Sequence, residues 1–201
     1  QESSCSSEEL KRAMQSYAKT FMSSQGLLSA GGSHTAVLTS SGRLLAFGRN
    51  TEGQCEVPSL DAGENFTAVA AGDNHTAALT SSGRLLAFGL DSEGQCKVPS
   101  LEAGEYFTAL AAGGFHTAAL TSSGRLRIFG RNSERQCSVD KLGEPYTAVA
   151  AGRFHTAAVS STGRLLAFGR DTEGKCKVPS LDAGENFMAV AAGENHTAAL
   201  T

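Results

Sequence analysis

The chain has 201 residues, of which 40% are hydrophobic, and its formal net charge is −3 at pH 7. This length and composition are typical of a globular protein with one substantial core. Its 17 Lys and Arg residues are spread along the chain, and no apolar run approaches the roughly 20 residues of a membrane-spanning helix, so we expect neither nucleic acid nor membrane as a partner.

Residues 1–22 differ from the rest of the chain because their apolar residues follow a helical period. Ser6 and Glu9 have the spacing of a helix capping box. The apolar positions are Leu10, Ala13, Met14, Tyr17 and Phe21. The segment therefore predicts an amphipathic α-helix. We favour a cap that covers the first repeat, and the alternative is a helix that binds a partner.

Residues 23–201 form a second region, in which one motif returns about every forty residues. The motif is A-G-x-x-H-T-A-x-L-T-S-S-G-R-L-L-A-F-G, followed by x-x-x-E-G-Q-C-x-V-P. The copies lie near residues 29–65, 66–106, 107–145, 146–186 and 187–201. This period predicts a repeat architecture, in which each unit packs on its neighbour. Since the chain begins with Gln and stops within a copy, we expect a fragment or a processed product.

Each repeat is expected to form four strands, because apolar residues recur with a period of two and turn residues interrupt them. In the second repeat the predicted strands are residues 66–71, 75–80, 84–88 and 95–98. The first strand carries the smallest side chains, which suit a crowded central axis. Four-stranded units that repeat radially predict an all-β fold, a β-propeller.

Three parts of the motif resemble the repeats of the regulator-of-chromosome-condensation superfamily. They are the G-x-x-H-T-A-x-L core, the S-S-G-R-L hairpin and the E-G-Q-C loop. The compact repeat is also similar to that of the bacterial β-lactamase-inhibitor propeller. The resemblance covers residues 29–201 and implies a ring of about seven blades, of which this chain supplies four and the start of a fifth. An incomplete ring would expose an apolar face, so we expect further repeats or self-association.

The recurrent histidines are expected to be structural. They are His34, His75, His116, His155 and His196. Because they lie on successive blades, they cannot converge on one metal ion, and we expect each ring to bond backbone or hydroxyl groups. The chain also lacks the common nucleotide-binding, hydrolase and metalloprotease motifs. The sequence therefore predicts no catalytic residue, no metal and no cofactor.

Recurrent glycines and cysteines are also assigned to the architecture. One glycine per repeat occupies a hairpin loop, namely Gly42, Gly83, Gly124 and Gly163. A second loop position holds Gly in three repeats but Arg135 in the third, which should strain or reshape that loop. The equivalent cysteines Cys55, Cys96, Cys137 and Cys176 are expected to be too far apart for disulfides. Reduced thiols favour a cytoplasmic or nuclear location over secretion.

The pair of residues before each histidine differs among the copies, although the surrounding motif is constant. These pairs lie on one rim of the predicted ring, and we predict that they contact a protein partner. The candidates are Asp73, Asn74, Phe115, Arg153, Phe154, Glu194 and Asn195. Phe115, Phe154 and Arg153 are expected to form an exposed aromatic and cationic patch. The alternative is neutral variation at a tolerant turn.

A second variable position follows the third strand and holds Arg49, Leu90, Arg131 and Arg170. We rank it below the first because a solvated arginine explains three of its four residues.

The sequence thus predicts a non-enzymatic protein-interaction scaffold that uses its rim loops. The resemblance implies three alternatives. They are a guanine-nucleotide exchange factor for a small GTPase, an accessory propeller of a large ubiquitin ligase, and a secreted enzyme inhibitor.

Overall fold

The computed structural model describes residues 26–139 and 143–201 of the chain. Every regular element in these ranges is a β-strand. The strands are β1 (Leu28–Ala30), β2 (His34–Leu38), β3 (Leu44–Gly48), β4 (Phe66–Ala71), β5 (His75–Thr80), β6 (Leu85–Gly89), β7 (Phe107–Ala112), β8 (His116–Thr121), β9 (Leu126–Gly130), β10 (Tyr146–Ala151), β11 (His155–Ser160), β12 (Leu165–Gly169), β13 (Ala189–Ala192) and β14 (Thr197–Leu200). The helix predicted for residues 1–22 lies outside the described residues. Within those ranges, no helix is long and apolar enough to cross a membrane.

The strands form antiparallel sheets in which neighbours along the chain are also neighbours in space. Four sheets of three strands, β1–β3, β4–β6, β7–β9 and β10–β12, are blades 1 to 4. Strands β13 and β14 begin blade 5. The register is repeated from blade to blade, with His75 opposite Gly89 and His116 opposite Gly130. The predicted all-β propeller of four blades and part of a fifth is confirmed.

The fourth strand predicted for each blade is wrong for the described residues. Residues 95–98 form turns, because their backbone amides are bound locally instead of by another strand. The Cys96 amide donates to Asp91 Oδ1 at 2.8 Å, and the Val98 amide donates to the Cys96 carbonyl at 3.0 Å. Pro99 then has no amide hydrogen to offer a sheet. The same pattern is found at Cys55 in blade 1.

The core lies between successive blades. The second strand of blades 2 to 4 is buried along its whole length, and its alanines allow the neighbouring sheets to approach closely. Between blades 2 and 3, Leu79 and Leu85 pack with Phe107, and all three are at most 6% exposed. Burial of each such side chain contributes roughly 1.5–3 kcal/mol. Each of these core clusters is therefore completed by residues of the neighbouring blade.

The first strands end around a central opening, whose lining includes Ala71, Ala112 and Ala151. The glycine after each of these alanines lies at a close approach between blades. A Cβ at Gly113 would be 2.4 Å from the carbonyl oxygen of Gly152 and 2.4 Å from Cε1 of His116. This contact explains why the motif places Gly three residues before His.

Large apolar side chains are exposed on both end blades of the described chain. Leu28 and Phe47 of blade 1 are 62% and 59% exposed, and Leu200 of blade 5 is 60% exposed. The equivalent residues of the middle blades are covered by a neighbouring blade. Leu79 of blade 2, for example, is equivalent to Leu200 and is covered by blade 3.

Candidate protein-binding rim

The turn before each histidine connects the first and second strands of a blade, so all five turns lie at the same end of the blades. The first variable residue of each turn lines a central cavity of about 610 Å³. These residues are Gly32, Asp73, Gly114, Arg153 and Glu194. The second variable residues Phe115 and Phe154 are not part of that lining. The single patch predicted from the sequence is thus divided into an inner and an outer group.

The inner group is joined by ion pairs of Arg153. Its Nε lies 3.2 Å from Asp73 Oδ2, and its Nη1 donates to Glu194 Oε1 at 2.7 Å. Gly114 leaves room for this arrangement, because a Cβ there would lie 2.7 Å from Arg153 Cγ. The bond to Glu194 and the charge of Asp73 raise the pKa of Arg153. The single positive charge of Arg153 is therefore paired with two carboxylates, across blades 2, 4 and 5.

The outer group is built on an aromatic pair. The rings of Phe115 and Phe154, on blades 3 and 4, are stacked with centroids 6.0 Å apart and an interplanar angle of 19°. Both side chains are half-buried. Such offset stacking contributes about 0.5–1.5 kcal/mol beyond the burial of area.

Three guanidinium groups surround this aromatic pair. Arg131 lies 5.6 Å from the centroid of each ring. Arg153 and Arg170 lie 5.4 and 5.6 Å from the centroid of Phe154. These are cation–π distances. We call Phe115, Phe154, Arg131, Arg153 and Arg170 the rim cluster.

Arg131 and Arg170 are fixed but carry unpaired charge. The Nε of Arg131 donates to Ser133 at 2.7 Å, and that of Arg170 donates to Thr172 at 3.3 Å. In the part of the chain that the structure describes, neither guanidinium forms an ion pair, whereas Arg153 forms two. Arg49 of blade 1 makes the same bond to Thr51 at 2.8 Å, but within residues 26–139 and 143–201 no aromatic ring lies beside it.

Arg131 and Arg170 belong to the second variable position, and the structure places both beside Phe154. Arginine follows the third strand in three repeats, and two of these, the third and the fourth, also carry phenylalanine before the histidine. This coincidence is the sequence signal that groups them. The remaining candidates are placed elsewhere. Asn74 lines the central cavity, and Asn195 lies 3.4 Å from the Nζ of Lys175 between blades 4 and 5.

The histidines connect neighbouring blades. The Nε2 atoms of His34, His75, His116 and His155 lie 2.7–2.9 Å from a threonine hydroxyl on the next blade. Each hydroxyl donates its hydrogen to a backbone carbonyl, as Thr117 does to Gln95 at 2.8 Å. Nε2 must then be the donor, so the neutral form of each of these rings carries its proton on Nε2. His196 is exposed.

Burial lowers the pKa of these histidines. The pKa of His75 and of His155 falls to about 4, and that of His116 falls to about 3. All three rings are fully buried. Their Nδ1 atoms have no hydrogen-bond partner within the described ranges, so a second proton would find no acceptor.

The four cysteines among the described residues are free thiols that hydrogen-bond within their own loops. Cys137 Sγ donates to the Arg131 carbonyl at 3.1 Å, and Cys96 Sγ donates to the Leu90 carbonyl at 3.3 Å. Burial raises the pKa of Cys96 to about 12 and that of Cys137 to about 11. A thiol with so high a pKa is a poor nucleophile at neutral pH.

Carboxylates missed by the sequence analysis lie at the opposite end of the blades. Glu105 accepts hydrogen bonds from Thr121 and Ser123 of the hairpin loop, and these bonds lower its pKa. Glu64 and Glu144 bond the equivalent hairpins. Among the described residues, no three His, Cys, Asp or Glu side chains are grouped so that they could bind a metal ion.

A family profile described as Regulator of chromosome condensation (RCC1) repeat matches residues 27–54, 66–95, 107–136 and 146–175. The fold is similar to that of Prp20p from Saccharomyces cerevisiae, with a TM-score of 0.72 and 20% identity over 87% of this chain and 54% of that chain. It is also similar to human WBSCR16, with a TM-score of 0.74 and 18% identity over 87% of this chain and 58% of that chain.

A plant protein gives a third match. The ectodomain of the Physcomitrella patens receptor kinase CR4 has a TM-score of 0.65 and 22% identity over 83% of this chain and 46% of that chain. The chain thus spans about half the length of the solved structures it matches. No curated protein matches the sequence.

Proposed function

Because the chain belongs to the regulator of chromosome condensation (RCC1) repeat family, we propose that it is a protein-interaction module and that the rim cluster is its binding surface. The observation that supports this proposal is the stacked pair Phe115 and Phe154, surrounded by three arginines at positions where the repeats differ. Aromatic residues and arginine are the side chains that contribute most at protein interfaces.

The rest of the described chain supports a role in binding more than one in catalysis. The buried histidines are neutral and bonded to hydroxyl groups, and the thiols have raised pKa values. The histidines recur once per blade, and the Nε2 atom of each of the four buried ones bonds a threonine hydroxyl instead of an acid. We therefore propose that the chain is not an enzyme.

The proposal is tested by capturing partners on the immobilised chain and identifying them by mass spectrometry. Tyr106→Ser serves as the matched control, because Tyr106 is 52% exposed and lies at the hairpin end of the blades, away from the rim. We expect the double variant Phe115→Ser, Phe154→Ser to lose partners that the wild-type chain and the control retain. Circular dichroism checks that the double variant is folded. If the folded double variant captures the same proteins as the wild-type chain, the rim cluster is not the binding surface.

Guanine-nucleotide exchange is a second candidate, favoured by the structural likeness to Prp20p, which is described as binding Gsp1p and histones. The measurement is the release of fluorescent GDP from a small GTPase. Acceleration by the chain would support exchange, and an unchanged rate would leave the interaction module as the function. The roles of ubiquitin-ligase accessory propeller and secreted inhibitor stay predictions from the sequence.

We also propose that the chain works in a reducing compartment, the cytoplasm or the nucleus. The four described cysteines support this, because they are free and each thiol bonds a carbonyl of its own loop. The test is to alkylate the thiols of the chain isolated from its source, with and without prior reduction. Equal labelling of the two samples means that no disulfide had formed.

A further inference from the structure

The rim cluster carries three arginines, and the acids paired with it are two, Asp73 and Glu194. Arg153 is satisfied by Asp73 and Glu194, but Arg131 and Arg170 form no ion pair within the described ranges. The nearby carboxylate of Glu173 is already bonded to Lys175. Arg131 and Arg170 thus place two guanidinium groups without an ion pair beside the same ring, that of Phe154.

The geometry of the two arginines leaves their terminal amino groups available. Each Nε–H is bonded to a hydroxyl of its own loop, at Ser133 or Thr172, which fixes the direction of the side chain. A guanidinium that stacks on an aromatic ring keeps its in-plane N–H groups free for a carboxylate. Each arginine can thus accept an acid without giving up its contact with Phe154.

The distance between the two cations favours an extended segment. Both guanidinium carbons lie 5.6 Å from the centroid of Phe154, so they are separated by at most twice that distance, and two acids on one short segment can reach both. In an extended peptide, side chains two residues apart point to the same side and are separated by about 6.6 Å. The aromatic pair between them offers an apolar surface for the intervening peptide backbone and side chains.

From this arrangement we infer that the rim cluster binds an extended acidic segment of a partner protein, with carboxylates two residues apart on Arg131 and Arg170. This inference rests on the proposed function and names the chemistry of the partner. A polyphosphate chain fits less well, because Asp73, Glu194 and Glu173 lie close by and only two cations are free.

The experiment is an NMR titration of the ¹⁵N-labelled chain with acetyl-(Glu-Ala)₄-amide, with acetyl-(Gln-Ala)₄-amide as the uncharged control. We expect the amide signals of residues 115, 131, 154 and 170 to shift and saturate with the glutamate peptide only. Binding should weaken at least tenfold in the double variant Arg131→Ala, Arg170→Ala. Arg49→Ala is the matched control, because Arg49 has the same loop bond without the aromatic pair, and it should change binding less than twofold.

Several results would overturn the inference. They are equal shifts with both peptides, no saturation up to about 5 mM peptide, an equal loss in Arg49→Ala, or tighter binding of an eight-nucleotide oligouridine at the same site. The capture experiment separates this inference from the proposed function. If Phe115 and Phe154 are needed for partner capture but the glutamate peptide does not bind, only the acidic character of the partner is wrong.

Discussion

At the scale of single residues, Arg135 shows how strongly the fold determines its loops. It occupies the position of Gly53, Gly94 and Gly174, whose φ angles are 79°, 81° and 73°. Arg135 has a φ of 63°, and it is the only non-glycine residue in the described ranges with a positive φ. The sequence alone is compatible with either a strained or a reshaped loop at this position. The loop keeps its shape, so the left-handed conformation is imposed on a side chain that disfavours it.

Replacing this arginine by glycine should stabilise the protein. A non-glycine residue in the left-handed region costs about 1–2 kcal/mol, part of which is offset by the greater freedom of glycine in the unfolded chain. We expect Arg135→Gly to raise the free energy of unfolding by about 0.5–1 kcal/mol, measured by denaturant titration. Gly94→Arg is the reciprocal control and should lower it by a similar amount. Stabilisation by both variants, or by neither, would show that backbone strain does not decide this position.

At the scale of strands, the interface between blades combines apolar packing with a repeated polar contact. Thr117 at the start of β8 accepts a hydrogen bond from His75 of blade 2 and donates one to the carbonyl of Gln95. Both His75 and Gln95 are fully buried. The hydroxyl thus satisfies two groups that have no access to water.

Substitution of this threonine by valine keeps the shape and removes both contacts. Each buried group left without a partner costs about 1–3 kcal/mol, so we expect Thr117→Val to lower the free energy of unfolding by about 2–5 kcal/mol. Thr108→Val is the matched control on the neighbouring strand, because Thr108 is exposed and its hydroxyl makes only long contacts, at 3.3 Å, with the Leu120 and Thr121 carbonyls. It should change stability by less than about 0.5 kcal/mol. Thermal or denaturant unfolding measures both. Equal effects of the two variants would contradict a role for the polar contact.

The strands and turns of the blades could be predicted from the sequence because the pattern is repeated and locally determined. Residues 66–71 and 75–80 were placed correctly, and the third strand was shifted by one residue to Leu85–Gly89. The fourth strand failed because side-chain oxygens such as Asp91 Oδ1 bind the amides that a strand would use. Whether a side-chain oxygen or another strand binds these amides depends on where the side chain lies. The alternation of apolar and polar residues along the sequence does not reveal this.

The rim was only partly predictable for a similar reason. Comparison of the copies identified the residues at one end of the blades, which follows from topology. It could not show that Arg153 is neutralised by Asp73 and Glu194 from different blades. Nor could it show that Arg131 comes within 5.6 Å of both phenylalanines. These contacts depend on the angle at which neighbouring blades pack. That angle cannot be read from the motif of a single repeat.

At the scale of the whole molecule, the histidines couple the packing of the blades to pH. His75, His116 and His155 are fully buried and lie at successive interfaces between blades. Their folded-state pKa values, about 3 to 4, are well below the ordinary value of 6.5. Between these values the unfolded chain binds protons that the folded chain does not bind, so folding is disfavoured as the pH falls.

The free energy of unfolding should therefore fall as the pH falls from about 6.5 towards 4, by up to about 1.4 kcal/mol per pH unit for each of the three histidines. The loss should level off once the folded histidines are also protonated. Denaturant titrations between pH 7 and 5 measure the slope in a window where carboxylates of ordinary or lowered pKa contribute little. His116→Gln keeps a hydrogen-bond donor towards Thr156 but cannot be protonated. It should therefore reduce the slope of the unfolding free energy against pH by the contribution of about one proton. A stability that is constant over this window, or a slope unchanged in His116→Gln, would mean that the interface histidines are protonated without opening the blades.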